Sequence, residues 1–382
     1  MAADEVPFQL LELPDPCLLE VLQCCADDLR SLFSVARAHS RLHQAAVLAA
    51  RAHNSLAVEI NQQQQVDDLM LYLSTKQERQ LVSIKAPRHA PTFSLRQLPQ
   101  NLQLVSLKLF GLTIQLQPRD GFPSVLPALQ HLTYLDLDCD TQAEPAQQGL
   151  ELQPLGTLTR LSELHVHLRP AVGLQLTDVD SGMLSGLQHL TRLKLSSHLK
   201  ICPDILTGMS LLQHLECLRC HVLGAAAGFT QLLSGLHCLT QLTALRWKTP
   251  DRDFQAPYPV AAAFSALTAS SKMRQLDISG CTLPEGAWQH VFPAGRQLPH
   301  LQQLNISDVT KPPVSAFSPR GRATAPAGAY LVRCCPGLVS LDMQRLQCSS
   351  ELLAPLQGLS NLHTLCLYDF NLEDGMSGLC QG

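Results

Sequence analysis

Apolar and polar residues follow a repeating pattern along most of this chain. The spelling L-x-x-L-x-L, with conservative replacements, occurs ten times at intervals of 22 to 37 residues. Within a unit the second and third apolar residues stand two apart, as in Leu135-Asp136-Leu137, which predicts a β-strand with one face turned inward. The first apolar position of each unit falls at Leu104, Leu132, Leu161, Leu190, Leu212, Leu242, Met273, Leu301, Leu338 and Leu362.

A second apolar signal lies between successive strands. Leu184, Leu187 and Leu190 are three residues apart, which predicts a short α or 3₁₀ segment packed behind the strand. One such unit cannot bury its own apolar face, whereas stacked units bury a continuous core. The period of this pattern and the order of its apolar residues are those of leucine-rich repeats. The sequence therefore predicts an α/β fold, a leucine-rich-repeat solenoid in which a curved parallel sheet is backed by short helices.

The turn that ends each strand is less regular. Such repeats usually carry Asn or Cys three positions beyond the last strand leucine. Cys220 and Cys281 fit this position, but most units have another residue there: Leu112, Asp140, Arg169, His198 and Pro250. A regular asparagine ladder is therefore absent, and the sequence leaves the geometry of the turns open.

Three regions follow from the pattern. Residues 8–53 break the repeat and have the spacing of three short helices. Residues 54–100 hold degenerate repeats, with alternating stretches near Leu56 and Leu81 and a helix predicted between them. Residues 101–375 hold about ten leucine-rich repeats. They are interrupted near 309–329 by a proline- and glycine-rich insertion, which is expected to be a flexible loop or a loop that contacts a partner.

Composition excludes several classes of function. The net charge of −4 provides no excess of positive charge for binding nucleic acid. No apolar run reaches the ~18 residues of a membrane span. The acidic N-terminus lacks the basic start of a secretory signal, so we expect a cytoplasmic or nuclear location, or both. The fourteen cysteines are then expected to be mainly free, buried thiols.

Motifs for catalysis are missing from the sequence. It contains no P-loop, no G-x-G-x-x-G, no G-x-S-x-G and no H-E-x-x-H, so we expect no enzyme, no catalytic residue and no cofactor. Cys217 and Cys220 form a C-x-x-C, but both sulfurs fall on core positions of a strand, which favours packing over zinc. The vicinal pairs Cys24-Cys25 and Cys334-Cys335 are expected to be packing residues as well.

The outward positions of the strands are the candidate binding surface, because solenoids commonly hold ligands on their concave face. Arg192 and Lys194 open a basic section that ends at Lys248, which we favour as a site for a protein substrate over a merely solvated sheet. Asp136, Asp138, His165 and His167 could converge as metal ligands, but ordinary face residues are favoured and no metal is predicted. The predicted substrate-binding residues are Asp136, His165, Lys194, Glu216, Arg246, Lys248 and Asp277.

The N-terminal segment contains three sequence blocks in a recognisable order. They are Leu13-Pro14-Asp15-Pro16-Cys17-Leu18-Leu19-Glu20-Val21-Leu22, then Asp28-Leu29-Arg30-Ser31-Leu32, then Val35-Ala36-Arg37. This arrangement resembles an F-box over roughly forty residues. His39 stands where the family usually has Trp, and Ala36 where it often has Cys.

The resemblance implies a substrate receptor of an SCF-type cullin–RING ubiquitin ligase. The F-box would dock on the Skp-type adaptor and its cullin complex, and the repeats would hold an unknown target protein. The residues implied in adaptor binding are Leu13, Pro14, Leu18, Leu19, Leu22, Leu29 and Leu32. The alternative is a cytoskeletal or axonemal leucine-rich-repeat scaffold, outside the ligases, whose helical cap only looks like an F-box. An F-box should leave Leu18, Leu22 and Leu29 partly exposed, whereas a pure cap should bury them.

The last strand, around Leu365, is followed by a short, glycine-containing stretch. Solenoids need a polar cap over the final core. We therefore expect Leu362 and Leu365 to be more exposed than their counterparts in the central repeats.

Overall fold

A computed structural model gives the architecture of the chain. It describes residues 13–24, 42, 45, 55–60, 62, 65–67, 69, 80–85, 92–93, 104–115, 129–142, 153–170, 177–179, 184–196, 199–218, 221–222, 225–248, 259–312, 326, 328–348, 350–368 and 371–372. Several predictions lie outside these residues: those for Leu29, Leu32, Cys25 and Cys220, for most of the helix predicted before residue 80, and for most of the insertion near 309–329.

The fold is a leucine-rich-repeat solenoid built around one parallel sheet. Twelve strands form a continuous path in the order β1-β2-β4-β5-β6-β8-β10-β12-β13-β14-β15-β17, and β3 pairs beside β4. Smaller parallel sheets join β11-β9-β7 and β16-β18. The strands are β1 (Ser55–Glu59), β2 (Gln80–Lys85), β3 (Thr92–Phe93), β4 (Leu104–Gln115), β5 (Tyr134–Gln142), β6 (Glu163–Pro170), β7 (Thr177–Val179), β8 (Arg192–Ser196), β9 (Leu199–Ile201), β10 (His214–Leu218), β11 (His221–Val222), β12 (Ala244–Lys248), β13 (Gln275–Asp277), β14 (Gln303–Asn305), β15 (Ser340–Asp342), β16 (Gln347–Cys348), β17 (Thr364–Cys366) and β18 (Asn371–Leu372).

Short helical segments connect many of the strands. The structure gives bounds for the α-helices α1 (Asp15–Cys24), α2 (Ala225–Gly235), α3 (Trp288–Val291), α4 (Gly328–Cys334) and α5 (Ser350–Leu356), and for 3₁₀ turns at Gln153–Thr157, Leu236–Cys238 and Ala261–Thr268. The period-three leucines Leu184, Leu187 and Leu190 are all buried, as predicted. No helix among the described residues is long and apolar enough to cross a membrane.

Strand alternation places leucines on one side of the sheet. Leu135 and Leu137 of β5 and Leu164 of β6 are buried, and they belong to a single apolar cluster that runs from Leu18 to Leu359. The opposite side, which we call the front face, carries the polar residues that lie between these leucines. The side chains of the front face therefore do not contribute to the apolar core.

Side-chain hydroxyls link successive repeats where an asparagine ladder is absent. The residue just before a strand is often Thr or Ser, and its hydroxyl donates to a backbone carbonyl of the repeat before. Ser162 Oγ bonds the Thr133 carbonyl at 2.9 Å, and Thr191 Oγ1 bonds the Ser162 carbonyl at 3.1 Å. At the other end of a strand, Cys281 Sγ donates to the Trp247 carbonyl at 3.0 Å. The Thr133 and Ser162 carbonyls also accept backbone N–H groups of the next repeat, so the hydroxyls add to a link that the backbone already makes.

Strands of the main sheet shorten along the chain, from 12 residues in β4 to five in β12 and three in β13. The cause is a local turn. Side-chain oxygens of Asp277, Asn305 and Asp342 accept the backbone N–H two residues further on, at 3.0, 3.1 and 3.3 Å. An Asp or Asn that bonds its own backbone in this way competes with the sheet ladder, so the strand ends there.

Close packing at the back of the repeats requires glycine. A Cβ built on Gly186 would lie 1.9 Å from the carbonyl oxygen of Gly156 in the preceding repeat. The two backbones therefore approach more closely than any side chain would permit.

The last described strand of the sheet is poorly covered. Leu365 on β17 is 41% exposed and Leu362 is partly exposed, whereas Leu341 and Leu338 of the preceding repeat are 0% exposed. The expected exposure at this end of the solenoid is confirmed.

Candidate functional site

One row of side chains crosses the front face at the same position of nine successive repeats. Parallel pairing in constant register places these residues side by side, because neighbouring strands lie ~4.8 Å apart. We call this row the charge ladder. In strand order it consists of Lys108, Asp136, His165, Lys194, Glu216, Arg246, Asp277, Asn305 and Asp342.

Six of the seven residues predicted for substrate binding belong to this ladder. The seventh, Lys248, lies two residues further along β12, in the neighbouring row, where it pairs in register with Leu218. Lys248 lies on the front face but outside the charge ladder.

The middle of the charge ladder is a chain of ion pairs centred on Glu216. This side chain is only 9% exposed and lies between two cations. Lys194 Nζ stands 3.5 Å from Glu216 Oε2, and Arg246 Nη1 stands 3.2 Å from Oε1. Arg246 Nε also lies 2.9 Å from Asp277 Oδ2. The section from Arg192 to Lys248, which was predicted to be basic, is therefore electrostatically balanced. The register of the strands places carboxylates from adjacent strands beside its cations.

Tyr134, Asp136 and His165 form a linked group nearer the N-terminus. The Tyr134 hydroxyl donates to Asp136 Oδ2 at 3.1 Å and lies 3.3 Å from His165 Nδ1, which is itself 3.5 Å from Asp136 Oδ2. Lys108 Nζ lies 4.8 Å from the centre of the Tyr134 ring. Burial alone would raise the pKa of Asp136. The hydrogen bond and charge of His165, the Tyr134 hydroxyl and the charge of Lys108 outweigh it and lower that pKa below its ordinary value.

The same contacts affect Tyr134. Burial raises the pKa of its hydroxyl well above the ordinary value, and the charge of Asp136 and its hydrogen bond add to the rise. The phenol is therefore a fixed hydrogen-bond donor at neutral pH.

The histidines and aspartates of β5 and β6 remain two separate pairs. His167 Nε2 lies 3.9 Å from Asp138 Oδ1, beside the pair of Asp136 and His165. Across the described part of the chain, no three His, Cys, Asp or Glu side chains are grouped so that they could hold a metal ion.

A shallow depression of about 370 Å³ lies on the C-terminal half of the front face, from β10 to β15. Burial lowers the pKa of His214 in its wall, so its imidazole is neutral at pH 7. Asn305 and Asp342 are not among the substrate-binding residues predicted from the sequence; their place at the ladder position of each repeat is the signal that could have included them. The polar lining residues are His214, Glu216, Arg246, Gln275, Asp277, Gln303, Asn305, Ser340 and Asp342.

Helix α1 places its predicted adaptor residues in different environments. Leu18 and Leu22, four residues apart, are buried in the core cluster, and Leu13 and Leu19 pack partly against it. Pro14 is exposed, and Val21 is an exposed large apolar residue on the same helix. By the exposure criterion, Leu18 and Leu22 behave as residues of a cap.

The eight described free cysteines are only partly the buried thiols that the sequence predicts, since Cys17 and Cys238 are exposed and Cys202 and Cys366 are half-buried. Cys217, Cys334 and Cys335 are buried. Burial, together with the charge of Cys334, raises the pKa of the Cys335 thiol to about 12, which keeps it protonated and unreactive.

No protein-family model and no curated protein matches the chain by sequence. Among solved structures it is similar to an internalin from Listeria monocytogenes, with 16% identity over 95% of this chain and 91% of that one and a TM-score of 0.48. It is similar to a chain from an octameric complex of Latrophilin 3, Unc5D and FLRT2, with 19% identity over 76% of both chains and a TM-score of 0.44. It is also similar to the leucine-rich-repeat ectodomain of a plant membrane receptor kinase from Arabidopsis thaliana, with 15% identity over 83% of this chain and 38% of that one and a TM-score of 0.40. These scores are low, so the fold rests on the chain's own strand order and register.

Proposed function

We propose that the chain is a protein-binding scaffold that holds a target protein against the front face of its sheet, without a catalytic role of its own. The observation that carries this proposal is the charge ladder. Lys194 and Arg246 are held in place by the buried Glu216 rather than free to sample many rotamers. Ordered polar side chains lose less entropy when a partner binds, which favours association.

The test compares two pairs of charge reversals of equal net charge. Lys108→Glu with Asp138→Lys alters the front face, and Lys272→Glu with Asp204→Lys alters surface away from it. Affinity purification should recover a protein partner with the wild type and the second variant but lose the same partner with the first. Circular dichroism should show that both variants fold. Retention of every partner by the front-face variant would refute the proposal.

We further propose that the N-terminal segment docks on a Skp-type adaptor, which makes the chain the substrate receptor of an SCF-type ubiquitin ligase. Ubiquitin transfer would then be a proximity effect on the held target. The resemblance of residues 13–37 to an F-box supports this, and Pro14 and Val21 of α1 are accessible to an adaptor. The alternative, a scaffold outside the ligases, is favoured by the burial of Leu18 and Leu22.

Docking on the adaptor is tested with exposed residues so that the core is left intact. Pro14→Ala with Val21→Glu should abolish co-purification with a recombinant Skp-type adaptor. Glu20→Ala, an exposed change on the same helix, should not. If the wild type fails to bind the adaptor, or the double variant binds it unchanged, the scaffold outside the ligases is the remaining interpretation.

A further inference from the structure

The charge ladder alternates in sign over its central strands. Lys194, Glu216, Arg246 and Asp277 follow one another on β8, β10, β12 and β13 as cation, anion, cation and anion. The next position would continue the alternation with a cation, but Asn305 on β14 is neutral. An aspartate, Asp342, then follows on β15.

Within the chain, Arg246 shows how a cation fills such a position. Its guanidinium lies between the carboxylates of the two adjacent strands, 3.2 Å from Glu216 Oε1 and 2.9 Å from Asp277 Oδ2. A guanidinium suits this geometry because its donors are arranged in a planar fork. A similar arrangement recurs two positions later, with Asp277 and Asp342 on either side of Asn305.

Asp342 is held by neutral donors. Its Oδ1 accepts hydrogen bonds from the Ser307 hydroxyl at 2.5 Å and from the Gln344 backbone N–H at 3.3 Å, and its Oδ2 accepts one from Gln344 Nε2 at 3.2 Å. Within the described ranges no cation pairs with it, and the nearby Arg345 is bound to Asp308 at 3.3 Å. Asp342 therefore keeps its negative charge in the wall of the depression.

The depression around this position has an excess of negative charge. Three carboxylates line it against one guanidinium, that of Arg246, which is already shared by two of them. Asp277 and Asp342 are separated by two strand spacings, or about 10 Å. A planar cation inserted over Asn305 could reach both carboxylates, as Arg246 reaches Glu216 and Asp277 two positions earlier.

We propose that the depression takes an arginine side chain of the bound target, placed over Asn305 between Asp277 and Asp342. The proposal deepens the protein-binding function and rests on it. The target supplies the cation that the charge ladder lacks, and the amides of Gln275 and Gln303 flank the entering side chain. A target segment with an accessible arginine is thereby preferred over an acidic or purely apolar one.

The test uses N-acetyl-arginine-N-methylamide and its citrulline counterpart, in which a neutral urea group of the same length replaces the guanidinium. Chemical-shift titration of the full chain should show millimolar binding of the arginine compound and no saturable binding of the citrulline compound. Asp342→Asn, which keeps the side-chain shape, should weaken the binding about fivefold or more, because a hydrogen bond between charged groups is stronger than one between neutral groups.

Glu285→Gln is the matched control, since it removes the same charge at an exposed residue outside the depression and keeps the side-chain shape. It should leave the affinity unchanged. Asn305→Arg should place the chain's own guanidinium in the gap and abolish binding of the compound. Equal binding of the two compounds, or unchanged affinity in Asp342→Asn, would overturn the inference.

Failure here is distinguishable from failure of the protein-binding function. The reversal of Lys108 and Asp138 tests target capture on other strands of the face. Suppose that this variant loses the partner while the wild type binds the arginine and citrulline compounds equally well. The protein-binding function would then stand, and only the arginine site would be refuted.

Discussion

Replacing Arg246 with methionine is expected to lower the free energy of unfolding by about 1–2 kcal/mol. The change removes two charge-assisted bonds, to Glu216 and Asp277, each worth up to roughly 3 kcal/mol when fully buried. Arg246 is 44% exposed, so water screens both bonds and the sum must be discounted. Much of what remains comes from Glu216, which keeps its charge at 9% exposure with only Lys194 beside it. Methionine retains the apolar stem, so little packing is lost.

Urea denaturation followed by circular dichroism measures this effect. The matched control is Arg192→Met, since Arg192 lies 3.9 Å from Glu163 and both are well exposed, which limits the loss to about 0.5 kcal/mol. Adding Glu216→Gln to Arg246→Met should cost little more or restore stability, because the buried carboxylate is the group that lost its partner. Equal losses for the two arginines, or strictly additive losses for Arg246 and Glu216, would refute the reasoning.

Three further predictions concern stability and are measured by the same unfolding assay. Gly186→Ala should cost about 1–3 kcal/mol, because its Cβ would collide with the Gly156 carbonyl, whereas the exposed change Gln188→Ala should be silent. Leu341→Ala should cost ~2–5 kcal/mol and Leu365→Ala clearly less, since the second is already 41% exposed; equal costs would mean that Leu365 is covered in solution. The pKa of Asp136 is lower in the folded state, so its contribution is present above its ordinary value of 3.8 and is lost as the pH falls below that value. Asp136→Asn should therefore make stability less sensitive to pH in the acid range, and an unchanged acid dependence would contradict this.

The fold could be predicted because it depends on periodicity. Leucines recur at the interval of one repeat, and stacking of the repeats buries them. Strand positions such as Leu135 and Leu276 therefore follow from the sequence motif alone. The links between repeats could not be predicted because the pattern points to Asn or Cys after each strand. The hydroxyls of Ser162 and Thr191 instead lie just before a strand, a position that was not part of the expected pattern.

The candidate site could be predicted only as a set of outward residues. Alternation identifies Lys194 and Arg246 as front-face residues, but their role depends on which strand lies on each side. Because β10 lies between β8 and β12, the buried Glu216 pairs with both Lys194 and Arg246. The section that was expected to be basic is therefore balanced in charge. Asn305 became informative for the same reason, since its neutrality matters only between two aspartates.

The alternating signs of the charge ladder also restrict how such a solenoid can change its number of repeats. Deleting one repeat still leaves apolar side chains stacked on apolar side chains, so the core would accept it. Deleting the repeat that carries Arg246 would place Glu216 directly beside Asp277, and like charges on adjacent strands repel. Removing that repeat together with the next would place Glu216 beside Asn305 and avoid the clash. In this section, gain or loss of repeats by duplication and deletion is therefore tolerated more readily in pairs than singly.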